Sequence, residues 1–459
     1  MAPISHLVQL ARQLKDEPTF EAPLQSSSFT LDSSGVAGFF GGDGAVQGMA
    51  TVHLIKGRRW FGWYNTPGSY EIAKQYGQLA KSRLWDGLFP GVDREPAQLF
   101  GLDGRHGPRF LAAYSGSVIE RSGHIGHLIA RKTRSESLDA RAIQIRSRRR
   151  STIDCSVTTI DLQKTPLLEL SPPRRQSILP LLAIIPILAS VAACVLCALV
   201  ADWWCFTSIA SGVIASGIAC FVIGSGQLTF RHPAPAKGAP PGDGVLLDEE
   251  GGIIILRGEE SAVNSVTRGR FCLQYSEDSE PQYGSIGVCS VFLTIQFLLQ
   301  LLLIPQGTLF GQILFVATLG ISWLYNAYLS SLDKEDIQTE IVLDVLNLRE
   351  CDMQKFRLGT RTAMAVFTAL SLRSPRPMKL LDALLPNDTP VWQRWKGILE
   401  MKLLAGQNLR FVESDWKVSD FTQEDQELLK GLLADAEEAY DGWYAAAGGA
   451  DSTSEYKEK

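Results

Sequence analysis

ILPLLAIIPILASVAACVLCALVA, residues Ile178–Ala201, runs for 24 residues without a charge. Asp202, Trp203 and Trp204 end it, and a second uncharged run from Cys205 to Phe230 is stopped by Arg231 and His232. The pattern then repeats: Tyr283–Ile304 is uncharged, Pro305-Gln306-Gly307 breaks it, and Thr308–Leu332 is uncharged again. A bilayer span needs about 20 mostly apolar residues at ~1.5 Å each to cross ~30 Å of hydrocarbon, and each run meets that length. The fold class predicted is an α-helical integral membrane protein with four transmembrane helices in two tight hairpins. It carries a mixed α/β N-terminal part and a helical C-terminal part in the cytosol. The competing reading, two apolar hairpins inside a large soluble core, is disfavoured because four charge-free runs of this length are rare in soluble domains.

Composition agrees. The 459 residues carry 44 Lys+Arg against 49 Asp+Glu, a net charge of −5, and are 45% hydrophobic. The apolar residues are gathered into those two blocks, which excludes a simple soluble enzyme, a disordered chain and a disulfide scaffold. Met1–Leu14, with Ile4, Leu7, Val8, Leu10 and Leu14, reads as a short amphipathic helix rather than a secretory signal. Cys194 and Cys197 fall inside the first run and read as small packing residues, not as a redox pair.

Orientation follows the basic flanks. Arg174 and Arg175 precede the first span, Arg231 and Lys237 follow the second, and Lys334 follows the fourth, whereas the hairpin turns near 202–204 and 305–307 hold no Lys or Arg. Both termini and the central loop are therefore expected in the cytosol, with almost nothing protruding on the far side.

Within the spans, Ser208, Gly212, Ser216, Cys220 and Gly224 recur every four residues, a face that lets helix backbones approach closely. Ala189, Ala193 and Cys197 match it, so the first two helices are expected to pack as a tight hairpin, with Pro186 kinking the first. Gln296, Gln300, Gln312 and Asn326 are the candidate intramembrane polar contacts. They serve either as interhelical glue, the commoner use, or as a polar pathway for a small solute. No Asp, Glu, Lys, Arg or His lies inside a span, which argues against a proton-coupled transporter.

Outside the spans, residues 1–120 read as a partly folded cytosolic region. Thr51–Ile55 is predicted as a strand, Tyr70–Leu88 as a helix, and Trp60, Phe61, Trp63 and Tyr64 as an aromatic cluster, in the core by preference or else resting on lipid headgroups. Residues 121–177 read as a basic, disordered juxtamembrane linker: 121–175 hold twelve Lys/Arg against five acids, net +7. Arg146, Arg148, Arg149, Arg150, Arg174 and Arg175 form a candidate cluster for anionic lipid, worth ~1 kcal/mol per charge near the surface. Ser151 and Ser177 follow Arg runs as candidate phosphosites that would cancel the attraction. Plain topogenic charge is an equal alternative. Nucleic-acid binding is not expected, because the patch lacks interleaved aromatics. His124 and His127 read as solvated loop histidines. The two hairpins (178–230, 283–332) enclose a loop, 231–282, whose runs Val245–Leu247, Gly252–Leu256 and Phe271–Tyr275 suggest a small sheet against the membrane. Residues 333–443 read as helical and 444–459 as a disordered acidic tail.

No phosphate-binding loop, zinc-protease, nucleophile-elbow or paired Cys-x-x-Cys motif occurs, so no catalytic residue, metal or cofactor is expected. The strings Lys355–Met364 and Leu384–Trp392, with the four spans, resemble a group of uncharacterised fungal multi-pass membrane proteins. That resemblance implies no activity. The expected function is a multi-pass membrane protein presenting cytosolic domains for protein or lipid binding. Its partners would be the bilayer, anionic lipids, further copies of itself or cytosolic proteins. A passive small-solute channel or carrier subunit is the alternative, and a lipid-modifying enzyme without a recognisable motif is the weaker one.

Overall fold

The computed structural model of the chain describes residues 23–24, 40–80, 83–91, 95–145, 155–163, 165–172, 174–175, 178–248, 252–275 and 283–454. The helix expected at Met1–Leu14, the cations Arg146, Arg148, Arg149 and Arg150, and Ser151 and Ser177 lie outside the described residues. Two compact units share the chain: one holds Met1–Asp103, Ser171–Thr229 and Phe271–Ile341, the other Gly104–Leu170, Phe230–Arg270 and Val342–Lys459. In chain order the principal helices are α1 Gly42–Ala50, α2 Ser69–Gly77, α3 His124–Thr133, α4 Glu136–Ala140, α5 Ile184–Leu199, α6 Trp203–Ile223 and α7 Glu260–Thr267. They continue with α8 Gly284–Leu303, α9 Leu309–Ser331, α10 Arg361–Leu372, α11 Pro377–Leu384, α12 Pro390–Leu404 and α13 Gln423–Ser454. The principal strands are β1 Arg109–Ala112, β2 Val118–Ile119, β3 Ile143–Gln144, β4 Cys155–Leu162, β5 Gly244–Leu247, β6 Ile253–Gly258 and β7 Met353–Leu358.

The first unit is built on α5, α6, α8 and α9. Their stretches Pro180–Leu199, Trp203–Ile223, Gly284–Gln306 and Leu309–Ser331 are long and apolar enough to cross a membrane. Helix α6 packs on α5 and α8, and α9 packs on α5. Ala193, Cys197, Cys205, Ile209, Ile304, Phe315 and Leu319 form their buried apolar cluster. Outward faces remain apolar: Leu188 and Leu324 are each 62% exposed and Phe292 55%. A water-soluble bundle has the opposite polarity. Pro186 falls in the first turn of α5, after a 3-10 turn at Leu179–Ala183, where its missing N–H leaves no helical bond unmade. Asp202 is buried between the hairpins. Its carboxylate accepts from Cys205 N at 3.1 Å and from Thr308 N and Oγ1, both at 2.7 Å, so it caps α6 and ties the two turns together.

The N-terminal region departs from its expected form. Residues 40–80 belong to this same unit: α1 packs on α9 and α2 on α8. Thr51–His53 is a 3-10 turn rather than a strand, and the helix expected over 70–88 is two pieces, α2 and Arg83–Leu88.

The second unit is a seven-stranded mixed sheet ordered β2-β1-β5-β6-β4-β7-β3. Strand β4 lies parallel to β6 (Val157↔Ile253) and antiparallel to β7 (Ile160↔Met353). Alternation decides the faces. Cys155, Val157, Ile253, Ile255, Phe356 and Leu358 pack against Phe367, Leu381, Trp395 and Leu432 of helices α10 to α13. Helix α7 lies on β6 and on α3, and α4 lies on β7, with Ile125, Leu128, Ile129, Val263 and Val266 buried.

This sheet overturns the linker reading of 121–177, because α3, α4, β3 and the central strand β4 all come from that segment. Its charges are paired with distant acids: Lys132 Nζ lies 2.7 Å from Glu350, and Arg134 grips Asp248 through both nitrogens. His124 is buried on α3, its ring 6.1 Å from that of His127. The central loop contributes β5 and β6 to the seven-stranded sheet, while the third run expected there, as the strand Arg270–Gln274, belongs to a separate three-stranded sheet. The C-terminal region carries strand β7 among its helices, and α13 runs to Ser454, past the boundary at 444 where the tail is expected to begin.

Candidate functional site

The polar groups of the four long helices converge on one stretch of irregular backbone, residues 58–66. Asn65 N donates to Ser190 Oγ of α5 at 3.1 Å, and its Nδ2 donates to Thr318 Oγ1 of α9 at 3.1 Å. Its Oδ1 accepts from Gln300 Nε2 of α8 at 3.3 Å. Thr66 Oγ1 accepts from Asn326 Nδ2 at 3.0 Å, and Tyr64 OH donates to Asn326 Oδ1 at 3.0 Å. Ser190, Gly212 and Thr318 sit near the middles of their helices, so the segment reaches half-way down the bundle.

Small residues make this possible. A Cβ on Gly212 would lie 2.2 Å from Asn65 Oδ1, one on Gly217 2.2 Å from the Trp63 ring, and one on Gly62 2.2 Å from Cys220 Cβ. The four-residue stripe on α6 therefore beds the segment Arg59–Asn65 rather than serving the α5–α6 contact alone.

Arg58 is buried at the entry to this core. It donates to Phe61 O and Tyr64 OH, each at 3.1 Å, and its guanidinium lies 5.4 Å from the centre of the Tyr325 ring. Among the described residues no carboxylate pairs with it. Carbonyl, hydroxyl and ring faces carry its charge instead.

The residues proposed from sequence separate here. Gln300 and Asn326 hold the segment. Gln300 Nε2 also donates to Ser208 O at 3.1 Å. Gln312 turns back on the second hairpin, donating to Ile304 O at 3.1 Å and Gly307 O at 3.3 Å, and is local. Gln296 is buried with both amide atoms unpartnered among the described residues, as are Gln300 Oε1, Ser322 Oγ and Ser69 Oγ. Arg174 Nη2 donates to Gly224 O at 3.0 Å and Gly226 O at 2.6 Å, carbonyls that follow α6. Arg175 Nη1 lies 2.9 Å from Glu340. Sequence reasoning missed Arg58, Asn65, Thr66, Ser190, Thr318 and Asp202; of the expected aromatic core cluster Tyr64 is buried, but Trp60 and Trp63 are 56% and 42% exposed. One signal was available: Trp60–Tyr70 is uncharged. It is too short to span but of the length found in buried or re-entrant segments.

Beside this core, His53 is buried in its 3-10 turn. Nδ1 lies 3.3 Å from Gly226 O, and the ring packs near Phe100 and Tyr275. Burial, with help from nearby Arg174, pushes its pKa down to about 3.

The second unit has a polar cleft of about 190 Å³ on the α3–α4 face of its sheet. Lys355 Nζ there lies 2.5 Å from Asp139 Oδ1 and 2.9 Å from Thr133 O, and Arg357 lies 3.5 Å from the same carboxylate. The hydrogen bond from Lys355 holds the Asp139 pKa below the usual carboxylate range. Asp139 and Asp248 thus occupy the cleft's cations internally.

These features define a class: a bundle of four bilayer-length helices threaded by an irregular polar segment, joined in one chain to a helix-covered mixed sheet. Compared with protein-family models, curated proteins and solved structures, the chain matches none.

Proposed function

We propose that the chain is an integral membrane protein with both termini in the cytosol, whose α/β unit is presented there for protein or lipid binding. The observation that carries this reading is the inside-out polarity of the four-helix unit. Leucine and phenylalanine face outward, while amides and hydroxyls face an internal segment of the chain that includes the buried Arg58. Irregular backbone at membrane depth is tolerated where protein buries it, which is how Tyr64–Thr66 are held. Short turns at 200–202 and 304–308 leave little mass on the far side. Relation to the fungal multi-pass group belongs to the same proposal. The test is carbonate extraction with protease mapping of sealed vesicles. The chain should stay in the membrane pellet, with epitopes at both ends cleaved only from the cytosolic side. Release by carbonate would end the reading.

A second reading, a small-solute pathway, is favoured by one observation: Gln296 keeps both amide atoms unspent in the bundle. Proteoliposomes should then pass a small solute faster than empty vesicles, and Gln296→Leu should abolish the difference.

A further inference from the structure

The second unit holds an apolar slot of about 280 Å³ between the β1–β2 hairpin and α11. Small side chains open it. Ala112, Ala113, Gly116 and Ala383 line it over a floor of Leu111 and Leu380, with Val118 exposed at the mouth. The hairpin is fixed: Gly116 takes a φ of +70°, Ala112 N donates to Ser117 O at 2.9 Å, and Ser374 Oγ donates to Ala113 O at 2.7 Å.

The rim has the opposite chemistry. Arg109, Arg376 and Lys379 line the slot alongside a single acid, Asp382, whose carboxylate is taken by Lys396 at 2.7 Å. Arg109 pairs with Glu120 at 3.2 Å, both side chains largely exposed, a contact of little strength. Among the described residues no carboxylate pairs with Arg376 or Lys379. Arg376 is held in place by its own N–H, which donates to Ser374 Oγ at 3.1 Å, and Lys379 lies one turn on at the start of α11.

We propose that this slot binds one acyl chain of an anionic lipid, with the phosphate of its headgroup at Arg376 and Lys379. The proposal rests on the membrane reading above, since a bilayer supplies such a ligand to a resident protein. A purely polar anion gains nothing from the leucine and alanine lining, and a neutral apolar segment gains nothing from cations that lack partners. At roughly 30 Å³ per water-sized group, the slot takes on the order of nine methylenes.

The experiment uses the full chain in phosphatidylcholine nanodiscs doped with a lipid carrying a photoactivatable acyl chain. One arm has a phosphatidic acid headgroup and the other a phosphatidylcholine headgroup, and adducts are mapped by mass spectrometry. The phosphatidic acid probe should label peptides covering 109–118 and 374–383, and the phosphatidylcholine probe should label them at least about fivefold less, the worth of one cation near an anionic headgroup. Arg376→Glu with Lys379→Glu, both on exposed side chains, should cut that labelling at least about tenfold on the same scale. Ala383→Phe, which fills the slot and keeps the rim, should cut it equally. Equal labelling by the two headgroups, labelling unmoved by either variant, or unlabelled slot peptides would each overturn the proposal. Labelling of 180–199 and 284–306 by either probe reads membrane insertion separately. Its loss would refute the membrane reading whatever the slot does.

Discussion

Replacing Gly212 with alanine separates two effects of opposite sign. In an ordinary apolar helix the change should stabilise by up to ~1 kcal/mol, because glycine is the poorer helix former. Here the new Cβ would lie 2.2 Å from Asn65 Oδ1, whereas ordinary contact begins near 3.4 Å, so the oxygen must retreat by about 1.2 Å. Overpacking of that kind costs ~1–3 kcal/mol. Moving Asn65 also strains its bonds to Thr318 and Gln300, each worth ~0.6 kcal/mol on average within such bundles. The sum is a net loss of ~1–3 kcal/mol. Gly320→Ala on α9 is the control, because nothing lies within 4 Å of its Cβ position, and it should be neutral or stabilising. Thermal unfolding of the purified variants in one detergent, followed by far-UV circular dichroism, reads both. Asn65→Ala should remove part of the penalty, so the double variant should be more stable than the two single losses added together. If Gly212→Ala raises the melting temperature as Gly320→Ala does, or if the Gly212 and Asn65 losses simply add, the segment does not lie against α6 and the site is wrong.

Three further outcomes are expected. Asp202→Ala leaves two N–H groups and the Thr308 hydroxyl without their buried acceptor and should cost ~2–4 kcal/mol, with Asp202→Asn milder; a loss under ~0.5 kcal/mol in the same melts would contradict the tie between hairpins. His53 refuses its proton down to about pH 3 when folded, while the unfolded chain takes one near 6.5. Stability should therefore fall as pH drops below 6.5, by up to ~1.4 kcal/mol per unit, and be insensitive to this group above 7; His53→Gln should flatten the slope, and an unchanged slope would place the titration elsewhere. In the second unit, Trp395→Phe removes the indole N–H bond to the Leu432 carbonyl at 3.0 Å, an acceptor that its own helix still engages, so urea unfolding should show a loss of ~0.5–1.5 kcal/mol, and a variant as stable as the parent would refute that bond.

The four long helices were legible because their signal is local. A run such as Ile178–Ala201 carries its own evidence of length and apolarity, and Asp202 marks an end without reference to any partner, whereas the second run overshoots: α6 stops at Ile223 and the uncharged residues before Arg231 belong to a strand, Gln227–Arg231. The basic segment 121–175 misled for the complementary reason. Its net charge is counted along the chain, but Lys132 and Arg141 meet Glu350, and Arg134 meets Asp248, more than a hundred residues away. Strand β4 has strong β-formers in Val157, Thr158, Thr159 and Ile160, yet only residues 253–258 and 353–358 complete its hydrogen bonds, and no window around 155 contains them.

The site at 58–66 is a subtler case. The small-residue stripe on α6 announces that some backbone comes close, and a neighbouring helix is the usual tenant. What distinguishes the actual tenant is its hydrogen-bond demand. A helix has spent its N–H groups on its own carbonyls, so it has none to offer a hydroxyl on a neighbour. Ser190 instead accepts from the backbone N–H of Asn65, and Gln300, Thr318 and Asn326 supply side-chain partners around it. Polar residues from three helices meeting opposite a glycine stripe are more than helix-to-helix glue requires. The excess is the mark of an irregular segment whose backbone and amide groups the bundle must satisfy. Trp60–Tyr70, without a charge and too short to span, has the length and polarity to supply it.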